Sequence, residues 1–140
     1  MGLLIDTGVL IRAERSGDSA LDFSPWSHYG DAAISVVTAS ELLVGVHRAT
    51  SKSRRVRRSA FVEGLLAAIP ILDLTLEVAR VHGELVARLA EQGQTMGAND
   101  ALIAATALAS GYALLTTDAG DFTRVPGLEV LPLGQPAAPR

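Results

Sequence analysis

Asp6, Glu41, Asp100, Asp118 and Asp121 are the side chains of this sequence best placed to do chemistry together. Asp6 closes the first apolar run, and Glu41 falls one helical turn beyond a second. Asp118 and Asp121 follow the fourth, in Thr-Thr-Asp-Ala-Gly-Asp, and Asp100 opens the apolar segment just before it. Carboxylates brought to one place raise one another's pKa, and protons or a cation must relieve the repulsion. Hard oxygen ligands suit Mg2+ or Mn2+. Such ions polarise phosphate oxygens and acidify bound water, so hydrolysis of a phosphodiester is the chemistry these acids imply. The nearby hydroxyls of Thr7, Ser40, Thr116 and Thr117 are candidates to orient the water or the phosphate.

Each acid taken singly also has a structural reading. Asp6 can cap the helix that follows it. Thr38-Ala-Ser-Glu41 has the pattern of a capping box. Asp100 suits a helix N-terminus through the macrodipole, and Asp118 and Asp121 suit turns. Their joint placement after strands is what argues for a site.

The elements that must position them follow from periodicity. Strands are expected at Gly2 to Ile5, Ala32 to Val37, Ile71 to Leu74, Tyr112 to Leu115 and Leu128 to Leu131. Helical spacing covers Val9 to Arg15, Thr38 to about Ala49, Ser51 to Ile69 and Thr75 to about Gln92. A helix from Asp100 to Ser110, capped by Asn99 and stopped by Gly111, is apolar on nearly every side and should be buried. Residues 16–31 read as a loop or short irregular helix. Strands alternating with helices imply an α/β fold, a parallel sheet with helices on both faces. In such sheets, ligands bind beyond the carboxyl ends of the strands.

The 140 residues suit a single domain, read as residues 1–133 with a mobile Pro/Ala-rich tail at 134–140. Hydrophobic residues make up 49% and charged residues 19%, a balance that argues for a folded chain. The absence of cysteine excludes disulfides, thiolate metal sites and a thiol nucleophile. Asp6 interrupts the first apolar stretch, so no signal peptide is expected, and no run is long enough to span a membrane; a cytoplasmic protein is the expectation. The net charge is −3, yet Lys52, Arg54, Arg55, Arg57 and Arg58 form one basic stretch and leave 7 basic against 15 acidic residues elsewhere. Arg54, Arg55, Arg57 and Arg58 are therefore candidates for contact with an RNA backbone, or an ordinary solvated helix face. Trp26 and Tyr29 could stack on bases, with core packing the simpler reading. His28, His47 and His82 lack metal-ligand spacing. A receiver-type phosphoacceptor would need a second acid near the first strand and a late lysine, whereas the single lysine is Lys52. A dehalogenase-type phosphatase would want an Asp where Gly8 stands.

Four ordered segments resemble the motifs of PIN-domain ribonucleases. These are Leu3-Leu-Ile-Asp6-Thr-Gly-Val-Leu-Ile11, Ile34-Ser-Val-Val-Thr-Ala-Ser-Glu41-Leu-Leu-Val-Gly45, Asn99-Asp100-Ala-Leu-Ile-Ala-Ala, and Leu115-Thr-Thr-Asp118-Ala-Gly-Asp121-Phe122 followed by Val125-Pro-Gly-Leu-Glu-Val130. The likeness runs from residue 2 to about 133 and extends to the VapC toxins of VapBC toxin–antitoxin systems. It implies a five-stranded parallel sheet, an Mg2+ or Mn2+ site, endoribonuclease activity, a homodimer, and inhibition by a VapB-like antitoxin. It carries Asp6, Glu41 and Asp100 over as metal-site acids. Asp118 stands where many members have Asn, so both Asp118 and Asp121 remain candidates for the fourth position. The alternative is a catalytically silent protein of the same fold acting through protein contacts.

Overall fold

The computed structural model describes residues 1–17 and 21–134, so most of the expected tail, residues 135–140, lies outside the described residues. Five strands form one parallel sheet: β1 (Gly2–Ile5), β2 (Ala32–Ser35), β3 (Ile71–Leu72), β4 (Tyr112–Thr116) and β5 (Val130–Pro132), in the order β3-β2-β1-β4-β5. Six helices connect them: α1 (Thr7–Arg15), α2 (Val36–His47), α3 (Lys52–Ala68), α4 (Leu76–Glu91), α5 (Ala98–Ser110) and the short α6 (Ala119–Phe122). A 3-10 turn at Ser24–Tyr29 occupies the expected irregular region.

Alternation along the strands divides the core in two. Leu3 and Ile5 of β1, Ile34 of β2 and Leu115 of β4 face a cluster that includes Leu10 of α1, Leu42 and Val46 of α2, and Val62 and Leu65 of α3. Leu4, Ala33 and Leu114 point the other way, against Leu85 and Leu89 of α4 and Ile103, Ala104 and Ala107 of α5. Every residue of β1 is buried, as a central parallel strand covered on both faces must be. Trp26 and Tyr29 are buried in the first cluster, which leaves neither ring free for a base.

The chain winds outward from β1 to β2 and β3, then crosses back to place β4 on the other side of β1. The carboxyl ends of β1 and β4 therefore flank the point where the winding reverses, where open α/β sheets form their ligand crevice.

Several local boundaries differ from the periodicity. α2 begins at Val36, because the Ser35 side chain accepts the Val37 amide at 3.1 Å and caps the helix there. Thr38 is thus inside the helix, and Glu41 is released from any capping box. α5 starts at Ala98 with Gly97 at its cap position and no side-chain cap, so Asn99 lies in the first turn instead of capping it. Gly111 does stop α5, in the left-handed conformation at φ 69° that favours glycine.

Candidate active site

Asp6 is the first residue beyond β1 and the cap of α1. It is buried at 7% exposure, a depth at which a carboxylate must have partners. Its Oδ1 accepts the Thr7 amide at 2.9 Å, and its Oδ2 accepts the Thr116 hydroxyl at 2.7 Å. Burial raises the Asp6 pKa, the two hydrogen bonds oppose that rise, and the charges of Glu41 and Asp121 add to it. The capping role read from sequence is real, but it uses one oxygen only.

Thr7 links this acid to the second motif. Its Oγ1 lies 2.7 Å from Glu41 Oε1 and 3.1 Å from the buried Thr38 hydroxyl. A hydroxyl has one hydrogen to give; the shorter contact, to the carboxylate, takes it, and Thr38 then fills a lone pair on Thr7. Thr116 plays the same part on the other side: it donates to Asp6 and accepts the Asp118 amide at 2.9 Å. Of the four hydroxyls proposed from sequence, Thr7 and Thr116 thus hold carboxylates. Thr117 is exposed and lies against α1, where a side chain on Gly8 would come within 2.6 Å of its hydroxyl. Ser40 is exposed beside Val36, Leu43, Val44 and His47 on another flank of α2.

Asp100, in the first turn of α5, shows that the acids converge. Burial lifts its pKa to about 6, and the charges of Asp6, Glu41, Asp121 and Asp118 each add to the rise. Asp118 is exposed at the start of α6, and its pKa is raised first by a hydrogen bond with Asp121 and then by that neighbour's charge. A carboxyl pair that hydrogen-bonds shares a proton. Five acids from four regions of the sequence therefore act on one another around the ends of β1 and β4.

The donor set is all oxygen, as a hard divalent cation requires, and the mutual repulsion is the kind such an ion relieves. Among the described residues, however, no three acidic or imidazole side chains are already drawn together as a cage. The fit is one of donor chemistry and charge.

The Arg-rich stretch lies at the start of α3, beside the first turns of which Ser51 caps the Arg54 amide at 3.1 Å. Arg58 spans to α1, 3.5 Å from Glu14, and donates to the Gly45 carbonyl of α2 at 2.8 Å. The sequence had not singled out Arg15 or Phe61, which share a groove with Arg54, Arg57 and Arg58. Neither has a local signal, because the groove exists only when α1 and α3 come together.

Comparisons with known proteins agree with this geometry. Residues 3–128 match the family model described as the PIN domain. The chain is 42% identical over 131 residues to a protein of Rickettsia felis named Ribonuclease VapC1, covering 94% of this chain and 96% of the relative. It is 30% identical over 125 residues to a Shigella flexneri protein named tRNA(fMet)-specific endonuclease VapC, covering 89% and 92%. Among solved structures, VapBC2 of Rickettsia felis bound to a promoter DNA fragment superposes with a TM-score of 0.82 at 26% identity, over 93% of this chain and 97% of that one. With its first three acids following Ile5, Ser40 and Asn99 and its sheet ordered as described, the chain belongs to the PIN-domain family.

Proposed function

We propose that this protein is the toxin of a toxin–antitoxin pair, an endoribonuclease of the VapC kind that works with Mg2+ or Mn2+. The observation that carries this reading is Asp100, whose carboxyl is pushed up to about 6 with four other acids contributing. A purely structural acid at a helix N-terminus would gain from the macrodipole and would not be surrounded by like charge. The names of the relatives point to the same activity, and structural neighbours solved as VapBC complexes support a small VapB-like antitoxin as partner.

Asp6, Glu41, Asp100, Asp118 and Asp121 would hold the cation, which supplies neutralisation of the phosphate charge and Lewis acidity at the scissile bond. The chain's own groups do the rest. Thr116 and Thr7 fix the oxygens of Asp6 and Glu41, so that little reorganisation remains when RNA arrives. Asp100, pushed up by burial and by the neighbouring acids, would give up its proton as the cation binds, which makes the binding pH-dependent. Of the basic stretch, the exposed Arg54 and Arg57 would contact the RNA backbone, while Arg55 and Arg58 hold the carbonyls of Ala49 and Gly45. Thr117, next to Asp118, is the hydroxyl left to position substrate, since Ser40 lies on another flank of α2. No described helix is long and apolar enough to cross a membrane; the cytoplasm is the expected setting and a homodimer the expected assembly.

The test is cleavage of single-stranded RNA by the purified chain with Mg2+ or Mn2+, with EDTA, and by Asp6→Asn and Asp100→Asn. Loss of cleavage in the last three is expected. Undiminished cleavage in EDTA or in either variant overturns the reading.

A further inference from the structure

The basic stretch of α3 does not present one continuous charged face. Arg55 turns onto the Ala49 carbonyl at 3.3 Å, and Arg58 is spent on the Gly45 carbonyl and on Glu14. Arg58 thus fastens α3 to α2 and α1, and Arg55 fastens it to the turn after α2. Arg54 and Arg57, one turn apart and exposed, line an open groove of about 710 Å3 instead. Its other wall is the end of α1, which brings the exposed Arg15 opposite them. Glu14 is the acid on that wall, and Arg58 neutralises it. Among the described residues, the guanidinium groups of Arg15, Arg54 and Arg57 have no hydrogen-bond or ion-pair partner. The groove is thus a local positive site on a chain of net charge −3.

The groove is also continuous with the acids. A narrower crevice of about 100 Å3 shares Glu14, Arg15, Arg58 and Phe61 with it and is lined by Glu41 as well. We propose that this groove is a subsite for the phosphate backbone of single-stranded RNA, with Arg15, Arg54 and Arg57 as the phosphate contacts and the strand running past Phe61 toward Glu41. The identity of the occupant rests on the ribonuclease reading. Guanidinium groups match phosphate oxygens in a fork. Phe61, half-buried against the first core cluster, gives the groove an apolar edge on the path toward Glu41, and a cleft between two helices admits one strand more readily than a duplex. Before a cation is bound, a polyanion meets repulsion at the carboxylates, and the groove offers an attraction that does not depend on the ion.

The probe is a short fluorescent oligouridylate, its anisotropy read in EDTA across a range of salt. Each phosphate contact contributes about 0.7 to the slope of log affinity against log salt for a single strand. Arg15→Gln, Arg54→Gln and Arg57→Gln should each flatten the slope by about 0.7, and the triple variant by about 2. Between about 50 and 200 mM salt, the unsubstituted chain should then lose roughly 20-fold more affinity than the triple variant. Arg55→Gln, outside the groove, should keep the full slope. If the triple variant melts early, the single variants carry the test.

An unchanged slope in the groove variants overturns the subsite, as does an equal loss in Arg55→Gln, which would mark a diffuse field. Absence of RNA binding by the unsubstituted chain overturns it too. So does tighter binding of poly-glutamate that the groove variants abolish while RNA binding persists, since the occupant would then be an acidic protein segment. Groove-dependent RNA binding without cleavage in Mg2+ or Mn2+ would leave the subsite standing and end the ribonuclease reading. Metal-dependent cleavage with an unaltered slope would do the reverse.

Discussion

Thr116 Oγ1 donates to Asp6 Oδ2 at 2.7 Å across 110 positions of sequence, and both groups are buried. The bond joins the carboxyl end of β4 to that of β1 and partly offsets the desolvation of Asp6. Thr116→Val keeps the shape and removes the donor. A buried acceptor left unsatisfied costs about 1–3 kcal/mol, so urea unfolding of this variant should show a loss in that range, with Thr116→Ser close to the parent. A Thr116→Val chain as stable as the parent would mean that water replaces the hydroxyl.

Thr7 acts on the neighbouring acid. Its hydroxyl sits 2.7 Å from Glu41 Oε1, with Thr38 behind it. Removing a partner that orients a metal-binding group typically costs 10–100-fold in metal affinity or activity. Thr7→Val should therefore weaken Mn2+ binding, measured by calorimetry, by at least about 10-fold, and Thr7→Ser should restore it. If Thr7 orients substrate instead, Mn2+ affinity will be untouched in Thr7→Val while KM for RNA rises.

Much of this arrangement was legible in the sequence, because parallel strands buried on both faces read as apolar runs and the chain punctuates them clearly. Gly2–Ile5 and Gly111 are where periodicity and turn chemistry put them. The acids were legible as a set because Asp6 and Asp118 follow strands while Glu41 and Asp100 lie in the early turns of α2 and α5. What escaped was the local competition at helix starts. Ser35 outcompetes Thr38 as a cap since its hydroxyl reaches the Val37 amide; serine is the somewhat better capping residue by type, but the difference is too small to set the boundary without the fold. The duties of Thr7 and Thr116 were also hidden, because both depend on which strand ends become neighbours. The split of the basic stretch, with Arg54 and Arg57 facing the groove and Arg55 facing Ala49, depends on helix rotation in the packed structure.

The acid cluster should make stability depend on pH in a defined direction. Asp100 titrates at about 6 in the fold against an ordinary 3.8, so the native chain holds a proton that the unfolded chain has already lost. Its contribution to stability is complete below pH 3.8 and is lost as pH rises through about 6. Asp6 and Asp118 are shifted in the same direction. In EDTA, Asp100→Asn should remove part of this decline and melt higher than the parent at pH 7, with a smaller gap at pH 4. Added Mn2+ should raise the parent's Tm at pH 7 and do little at pH 4, where protons already relieve the repulsion. Equal Mn2+ effects at both pH values would show that the ion binds away from these carboxyls.

Gly8 and Thr117 provide a test of how closely α1 approaches the end of β4. A side chain at Gly8 would meet the Thr117 hydroxyl at 2.6 Å, and little else lies near it. Alanine in a helix is ordinarily favoured over glycine by up to about 1 kcal/mol. Here that gain is opposed, because the Thr117 hydroxyl must leave its place. Thr117 is exposed and has other staggered rotamers open to it, so the clash is relieved by rotation, not by moving α1. Gly8→Ala alone should thus be close to neutral, while Gly8→Ala combined with Thr117→Ala recovers the helical gain, a coupling of about 0.5–1 kcal/mol in a double-mutant cycle read by urea unfolding. If Thr117 also orients the phosphate, Gly8→Ala will lower kcat/KM for RNA as far as Thr117→Ala does, and the two losses will not add. Additive stabilities would show that the two positions do not touch, and an unchanged kcat/KM in Thr117→Ala would remove Thr117 from the site.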